Sequence, residues 1–413
     1  MRMRKIFVFL ILIVFVFLPS SSQAKKRVAI LHFKNSTKEA DLDYLSFGFG
    51  ETLTTKLIKI EGLAVVSVIE RLRVIKLLEG QRFLGVDVEH LWRQTKGVLK
   101  KQRTQSFSLF PDEERAIEGG KIAGASYVII GNFRKIGSEI RVDCKLINVK
   151  LMKVKTVDGV VGSYNNLLNL QSRLTLKLAK SLGVKVTEDE KNKITQAETK
   201  SLPAYEWQAR GMNYYEKFKF KQAIESFEKA INLDKDYAAS YNYLGLSYDL
   251  SDRQEEAIVV YKKAIDIYLR ENDKQGLAVT YNDLGNAYNN KGNYKEALEY
   301  YERSRGIRER LSDQSGEAEL YNNIGTIYDN KGDYNQALRY YQKALRLKKS
   351  FQDKAGMANI YHNLGIVYYN KGDYDKSWEY YRKSKLTVTI TCENCPYRAG
   401  ARRADLSLPW KFY

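Results

Sequence analysis

The stretch Tyr281–Ser304, YNDLGNAYNNKGNYKEALEYYERS, returns forty residues later at Tyr321–Ala344 as YNNIGTIYDNKGDYNQALRYYQKA. It returns again at Tyr361–Ser384 as YHNLGIVYYNKGDYDKSWEYYRKS. Self-similarity at a fixed period marks an array of stacked units, each too small to bury its own apolar face. Aligning the glycines extends the array upstream: Gly211, Gly245, Gly285, Gly325 and Gly365 follow one another at spacings of 34, 40, 40 and 40.

Around each glycine the same side chains recur. Trp207, Tyr241, Tyr281, Tyr321 or Tyr361 stands four before it, and Tyr214, Tyr248, Tyr288, Tyr328 or Tyr368 three after it. In all but the first unit Leu244, Leu284, Ile324 or Leu364 immediately precedes it. These offsets draw one face of a helix. Twelve residues on comes a second small residue (Ala223, Ala257, Ala297, Ala337, Ser377), and four beyond it an aromatic one (Phe227, Tyr261, Tyr301, Tyr341, Tyr381). Two antiparallel helices crossing closely at small residues, with aromatics filling the flanks, satisfy this pattern. The recurrent tyrosines are therefore read as packing. In the turn, Gly292, Gly332 and Gly372 supply a left-handed residue that ends the first helix. Asn293, Asp333 and Asp373 then cap the second, with Glu296 and Gln336 three residues on for a back-bond.

This pattern over residues 201–384 resembles the tetratricopeptide repeats. The forty-residue units, with DKQG, DQSG and DKAG beginning at Asp273, Asp313 and Asp353, look like the long-helix subclass found in polarity and motor-adaptor proteins. The resemblance implies protein or peptide binding. It also implies a groove lined by the first helices, where the positions outside the apolar stripe and the turns are rich in amides: Asn242, Asn282, Asn286, Asn322, Asn323 and Asn363. An amide both donates to and accepts from a peptide backbone, so such a row suits an extended chain. The alternative is that these asparagines hold the helices together.

Residues 25–186 read differently. RVAILHF (Arg27–Phe33) is a strand, Asp43–Ile60 an amphipathic helix, LAVVSVI (Leu63–Ile69) a strand and Glu70–Gln81 a helix. Asp112–Ala125 is helical and Ser126–Phe133 a strand. Glu139–Val149 alternates Ile140, Val142, Cys144 and Leu146 on one face, with Lys153–Ser163 its antiparallel partner. Order and wording resemble the TolB-like/CsgG-like periplasmic domains: TolB amino-terminal domains, the curli-secretion channel subunit and outer-membrane flagellar assembly proteins. That resemblance rests on VAILHF, LDYLSFGFGETLTTKL, GLAVVSVIERLRVIKLLE, GKIAGASYVIIGNFRKIGSEIRVDCKLINV and NNLLNLQSRLTLKLAKSLG. It implies a non-enzymatic assembly or recognition domain of the cell envelope. The channel's lipid-anchoring cysteine is missing, and Phe83–Phe110 lacks the alternation of a membrane hairpin, which speaks against a pore.

Before this domain, a basic MRMRK, the apolar run Ile6–Leu18 and small residues up to Ala24 read as a cleaved secretory signal, the alternative being an uncleaved anchor. The chain's net charge of +19 lies mostly in the first domain: residues 25–200 hold 32 basic against 20 acidic side chains, whereas 201–384 hold 28 against 27. Interleaved with acids, the excess reads as a solvated face toward anionic lipid or wall polymer, and not as a nucleic-acid stripe.

Nothing in the chain assembles a catalytic or metal site. His32, His90 and His362 are scattered, Cys392 and Cys395 form a lone CxxC, and the glycines near Gly48 and Glu118 lack phosphate-loop spacing. No cofactor and no small-molecule substrate are implied. The expected organisation is a signal peptide at 1–24, an α/β mixed-sheet domain at 25–186 and a charged linker at 187–203 between independently folding halves. An all-α solenoid of five tetratricopeptide repeats at 204–384 and an irregular tail at 385–413 complete it. The tail covers the solenoid's end, leaves that face to a partner, or marks a shift of reading frame. The expected function is that of an exported periplasmic scaffold binding a protein or peptide in its groove. The alternative is a structural subunit of an outer-membrane or flagellar assembly, oligomerising through the first domain.

Overall fold

The structure, a computed structural model, describes residues 25–37, 39–66 and 113–389. Its first part is a five-stranded mixed sheet in the order β2-β1-β3-β4-β5. The apolar run Lys26–Asn35 forms β1, which pairs in parallel with β2 (Leu63–Val65) and β3 (Tyr127–Ile136). β4 (Glu139–Asn148) and β5 (Lys153–Ser163) continue antiparallel from β3. Strand alternation decides the two faces. Ile140, Val142, Cys144 and Leu146 point into the larger core with Val28, Ile30 and Phe33, beneath α1 (Leu45–Leu57) and α3 (Leu167–Ser181). Ala29, Leu31, Val128 and Ile147 point the other way, under α2 (Glu113–Ile122). The expected helix Glu70–Gln81, Phe83–Phe110, the end of the strand begun at Leu63, His90, residues 1–24 and the cysteines of the CxxC lie outside the described residues.

The segment expected as an open linker is instead built into the first domain. Thr187 and Glu190 close a capping box, and Glu188–Thr195 forms α4. Ile194 on this helix is fully buried, and its carbonyl accepts from the buried Lys56 Nζ at 2.6 Å and from Ser172 Oγ at 3.1 Å. Composition misleads here because one apolar residue and one helix-end carbonyl are enough to dock a short charged helix.

Five helical hairpins follow: α5 (Leu202–Glu216) with α6 (Phe220–Leu233), α7 (Ala238–Asp249) with α8 (Gln254–Glu271), and α9 (Lys274–Asn290) with α10 (Tyr294–Arg310). α11 (Gln314–Asn330) with α12 (Tyr334–Ser350) and α13 (Lys354–Asn370) with α14 (Tyr374–Thr389) complete them. Each repeat glycine receives the aromatic ring of the second helix, where small-on-small contact was expected: a Cβ on Gly285 would lie 2.5 Å from Cε1 of the buried Tyr301. The turn glycines adopt φ of +82°, +75° and +79°, as anticipated. Asp333 and Asp373 accept from the backbones of Gln336 and Lys376, but the Asn293 side chain caps nothing. The aspartates of DKQG, DQSG and DKAG cap the first helices, accepting from Gly276, Gly316 and Gly356 at 3.0, 3.0 and 2.8 Å.

The tail begins later than expected, because α14 runs on through Thr389. The second helices of the third and fourth hairpins extend thirteen residues past their small residue, and Ser384 anchors the last one by donating to Ala358 O at 2.8 Å, as Ser304 does to Ala278 O.

The two parts of the chain share a seam. Tyr205 and Ala209 of α5 lie within the larger core of the sheet domain, against Gly48 of α1, and Gln171 Nε2 donates to Tyr205 Oη at 2.6 Å. At the other end of the solenoid, the buried Arg27 of β1 reaches the loops between hairpins. It donates to Ser315 Oγ at 3.0 Å, lies over the ring of Phe351 and stands 3.7 Å from Asp353, which Lys348 also pairs at 3.0 Å. Ala355 completes the smaller core of the sheet domain. The first domain thus braces the first repeat and the loops before the fourth and fifth.

Candidate functional site

Successive first helices (α7, α9, α11, α13) approach one another more closely than successive second helices do, so the array curves toward the first-helix side. All six asparagines singled out in the sequence stand on that side. A residue on one first helix meets its counterpart forty-one residues on: Asn242 Nδ2 donates to Asp283 at 3.2 Å, Asn323 Nδ2 to Asn282 Oδ1 at 3.0 Å, and Asn363 Nδ2 to Asn322 Oδ1 at 2.9 Å. Asn286 Oδ1 accepts from Asn323 Nδ2 at 3.1 Å and from the Tyr301 hydroxyl at 2.6 Å.

The amides therefore form a ladder between repeats. Asn242 and Asn282 are buried within it, whereas Asn286, Asn322, Asn323 and Asn363 remain half-exposed. Each rung contributes about 0.5–1.5 kcal/mol and satisfies a polar group that would otherwise be stranded at a helix contact.

A second row runs two helical turns further on: Asn290 Nδ2 donates to both oxygens of Asp249 at 3.1 Å, and Asn370 Nδ2 to Asp329 at 3.2 Å. Sequence reasoning passed over Asp249, Asp283, Asp329, Asn290 and Asn370. Their recurrence at an offset of 41 was the available signal, hidden because carboxylate and amide alternate within one column.

Burial sets the electrostatics. Desolvation raises the Asp283 carboxyl to about 6, against the stabilising hydrogen bonds from Asn242 and Asn282, and it also raises Asp329. His362, which stands in the asparagine column beside the ring of Tyr381, is lowered by burial to about 4 and is neutral at physiological pH. Among the described residues no three His, Cys, Asp or Glu side chains converge as metal ligands, and no helix is long and apolar enough to cross a membrane.

A curved array of antiparallel hairpins with these repeated positions defines a class, and family comparison agrees with it. Models described as tetratricopeptide repeat match residues 238–270, 276–350 and 322–387, and one described as TPR repeat matches 211–249. The C-terminal part of the chain carries tetratricopeptide repeats; the matched spans all lie beyond residue 210. A search of curated proteins returns no match.

Similar solved structures include a Rap protein complexed with Competence and Sporulation Factor (20% identity, TM-score 0.44, covering 56% of this chain and 67% of that one). BtubC from P. vanneervenii is another (18%, 0.42, 61% and 100%), as is Pseudomonas aeruginosa pilF (18%, 0.37, 45% and 76%). At TM-scores below 0.5 these likenesses carry no argument about function.

Proposed function

We propose that this protein is a non-enzymatic scaffold that holds a protein or peptide segment on the inward, first-helix face of its repeats, and that it works in the cell envelope after removal of residues 1–24. The observation that carries the reading is the ladder itself. Half-exposed amides at Asn286, Asn322, Asn323 and Asn363 run without interruption across three hairpins, each pinned by its neighbour and so presented at little further entropic cost. The first domain, in this account, fixes the span of that face by holding the solenoid near both ends. The TolB-like resemblance of residues 25–186 and the signal-like start support the envelope as the place of action.

The test pans a random peptide library against the chain beginning at Lys25 and follows the selected complex by hydrogen exchange. Protection confined to α9, α11 and α13 is expected; protection of the second helices, or none, would contradict the assignment. For export, amino-terminal sequencing of the protein from periplasmic extract should begin at Lys25, and a membrane-held chain beginning at Met1 would overturn it.

A further inference from the structure

Where the sheet domain meets the solenoid, the packing leaves a recess. α1, the segment between α4 and α5, α5 itself and the start of α7 surround it, with Glu51, Glu198, Tyr205, Met212, Tyr237 and Tyr243 among its walls. It has about 20 Å³ of room for the centre of a water-sized group, enough to seat an ammonium or a water, and about 300 Å³ of space when its open mouth is counted. Two of its walls carry unspent polar groups. Tyr237 is only 3% exposed, and its hydroxyl has no hydrogen-bond partner among the described residues. Glu198 is half-buried and forms no hydrogen bond or ion pair among the described residues either. Yet of all charges Glu198 acts most strongly on Tyr237, whose ionisation is opposed by burial first and by this carboxylate next. Carboxylate and hydroxyl thus share one small space without bonding to each other, and a group donating to both would satisfy both.

The surroundings are acidic. A second carboxylate of the recess, Glu51, accepts from the Tyr243 hydroxyl. Burial, then Asp273 and Glu198, lifts the Glu271 carboxyl to about 7, against the pull of Lys59. The cations of this region are engaged elsewhere. Lys56 feels Glu198 but makes no ion pair with it: its Nζ donates to the carbonyls of Ile194 and Gln196 at 2.6 and 3.3 Å. Arg270 pairs Asp236 at 2.7 Å. The recess therefore lies in a negative field that the protein's own lysines and arginines leave in place.

We propose that this recess binds an alkylammonium group, the end of a free amine or of a partner protein's lysine side chain, with its N–H donors shared between Glu198 and Tyr237 and its methylenes against Met212 and Tyr205. Ammonium is the group that fits. It offers three donors, carries the complementary charge and matches the inner space, whereas a guanidinium is broader and planar. A metal ion would need more ligands, and among the described residues no three His, Cys, Asp or Glu side chains converge here. None of these wall residues belongs to the amide ladder, so the site stands apart from the scaffold reading. An occupant would touch the sheet domain, the segment entering the solenoid and the second hairpin at once, and so tighten the seam.

The experiment titrates the chain beginning at Lys25, by calorimetry in phosphate buffer, with n-butylammonium, the lysine side chain without its backbone, and with n-butanol, its neutral counterpart. Butylammonium should bind about tenfold more tightly or better. Glu198→Gln should weaken it about tenfold and Tyr237→Phe about threefold. Neither substitution should lower the melting temperature without amine, since each removes a group that bonds to nothing in the protein. Nα-acetyl-lysine amide then separates the two sources: affinity equal to that of butylammonium assigns the recess to a protein's lysine, and affinity about tenfold weaker assigns it to a free amine. Equal binding of butylammonium and butanol, no binding of either, or an affinity for butylammonium untouched by Glu198→Gln would overturn the proposal and leave a recess that holds water only.

Discussion

Replacing Asp283 by Asn is expected to stabilise the solenoid at neutral pH and to do nothing at pH 4. Asp283 is fully buried between α7 and α9, with neutral amides as its immediate partners, and desolvation lifts its folded-state value from 3.8 to about 6. The charge of Arg308 opposes this, and that of Asp249 adds a smaller push upward. Between those two values the folded chain holds a proton that the unfolded chain releases. The associated stability is complete below about pH 4 and is lost as the pH rises through 6.

A separation of roughly two units at about 1.4 kcal/mol each gives about 2–3 kcal/mol withheld from the wild type at pH 7.5. Asn carries the neutral form permanently. Its oxygen accepts from Asn242 or Asn282, and its amide can serve the unpartnered Asn242 oxygen. Urea denaturation of both proteins followed by circular dichroism at pH 4, 6 and 7.5 supplies the comparison. A variant whose advantage is the same at every pH, or that is less stable at pH 7.5, would refute the claim that an ionised, desolvated carboxylate sits in the ladder.

Other perturbations test the packing and the seam. Gly285→Ala drives a methyl group into the buried Tyr301 ring and should cost about 1–3 kcal/mol, read as a lowered melting temperature; an unchanged one would mean that ring and helix part freely. Arg27→Ala removes a buried cation from Asp353, Ser315 and Phe351 and should cost about 3–5 kcal/mol, seen as faster hydrogen exchange across Phe351–Ala358. Unaltered exchange there would show that the seam is not held by Arg27. Brief trypsin treatment should spare Lys191 and Lys193 in α4 until the whole chain unfolds, since Ile194 and its carbonyl anchor the helix; early release of two folded fragments would show that α4 does not hold them together.

The hairpins were legible because each is specified locally: the stripe around the repeat glycine, the left-handed turn glycine and the aspartate caps all act within one unit. The sheet was legible for the same reason, through the alternation of Ile140, Val142, Cys144 and Leu146. What escaped were contacts between parts distant in the chain. Arg27 reads as one of many cations until Asp353 and Phe351 are brought beside it, and Thr187–Pro203 reads as a linker until Lys56 meets the Ile194 carbonyl. The candidate site was half legible. Asparagines on the first helices were visible, but their mutual bonds, and the aspartates that share their columns, depend on the stacking offset of 41 residues and not on the sequence period of 40.

The scaffold reading is tested most directly in living cells by photo-crosslinking from one position on each face. Tyr369, exposed near the end of α13, and Arg346, exposed on α12, would each be replaced by benzoylphenylalanine in the full chain. A discrete crosslinked protein band from position 369 that is absent from position 346 is the predicted result. The same bands from both positions, or a band from position 346 alone, would contradict the account.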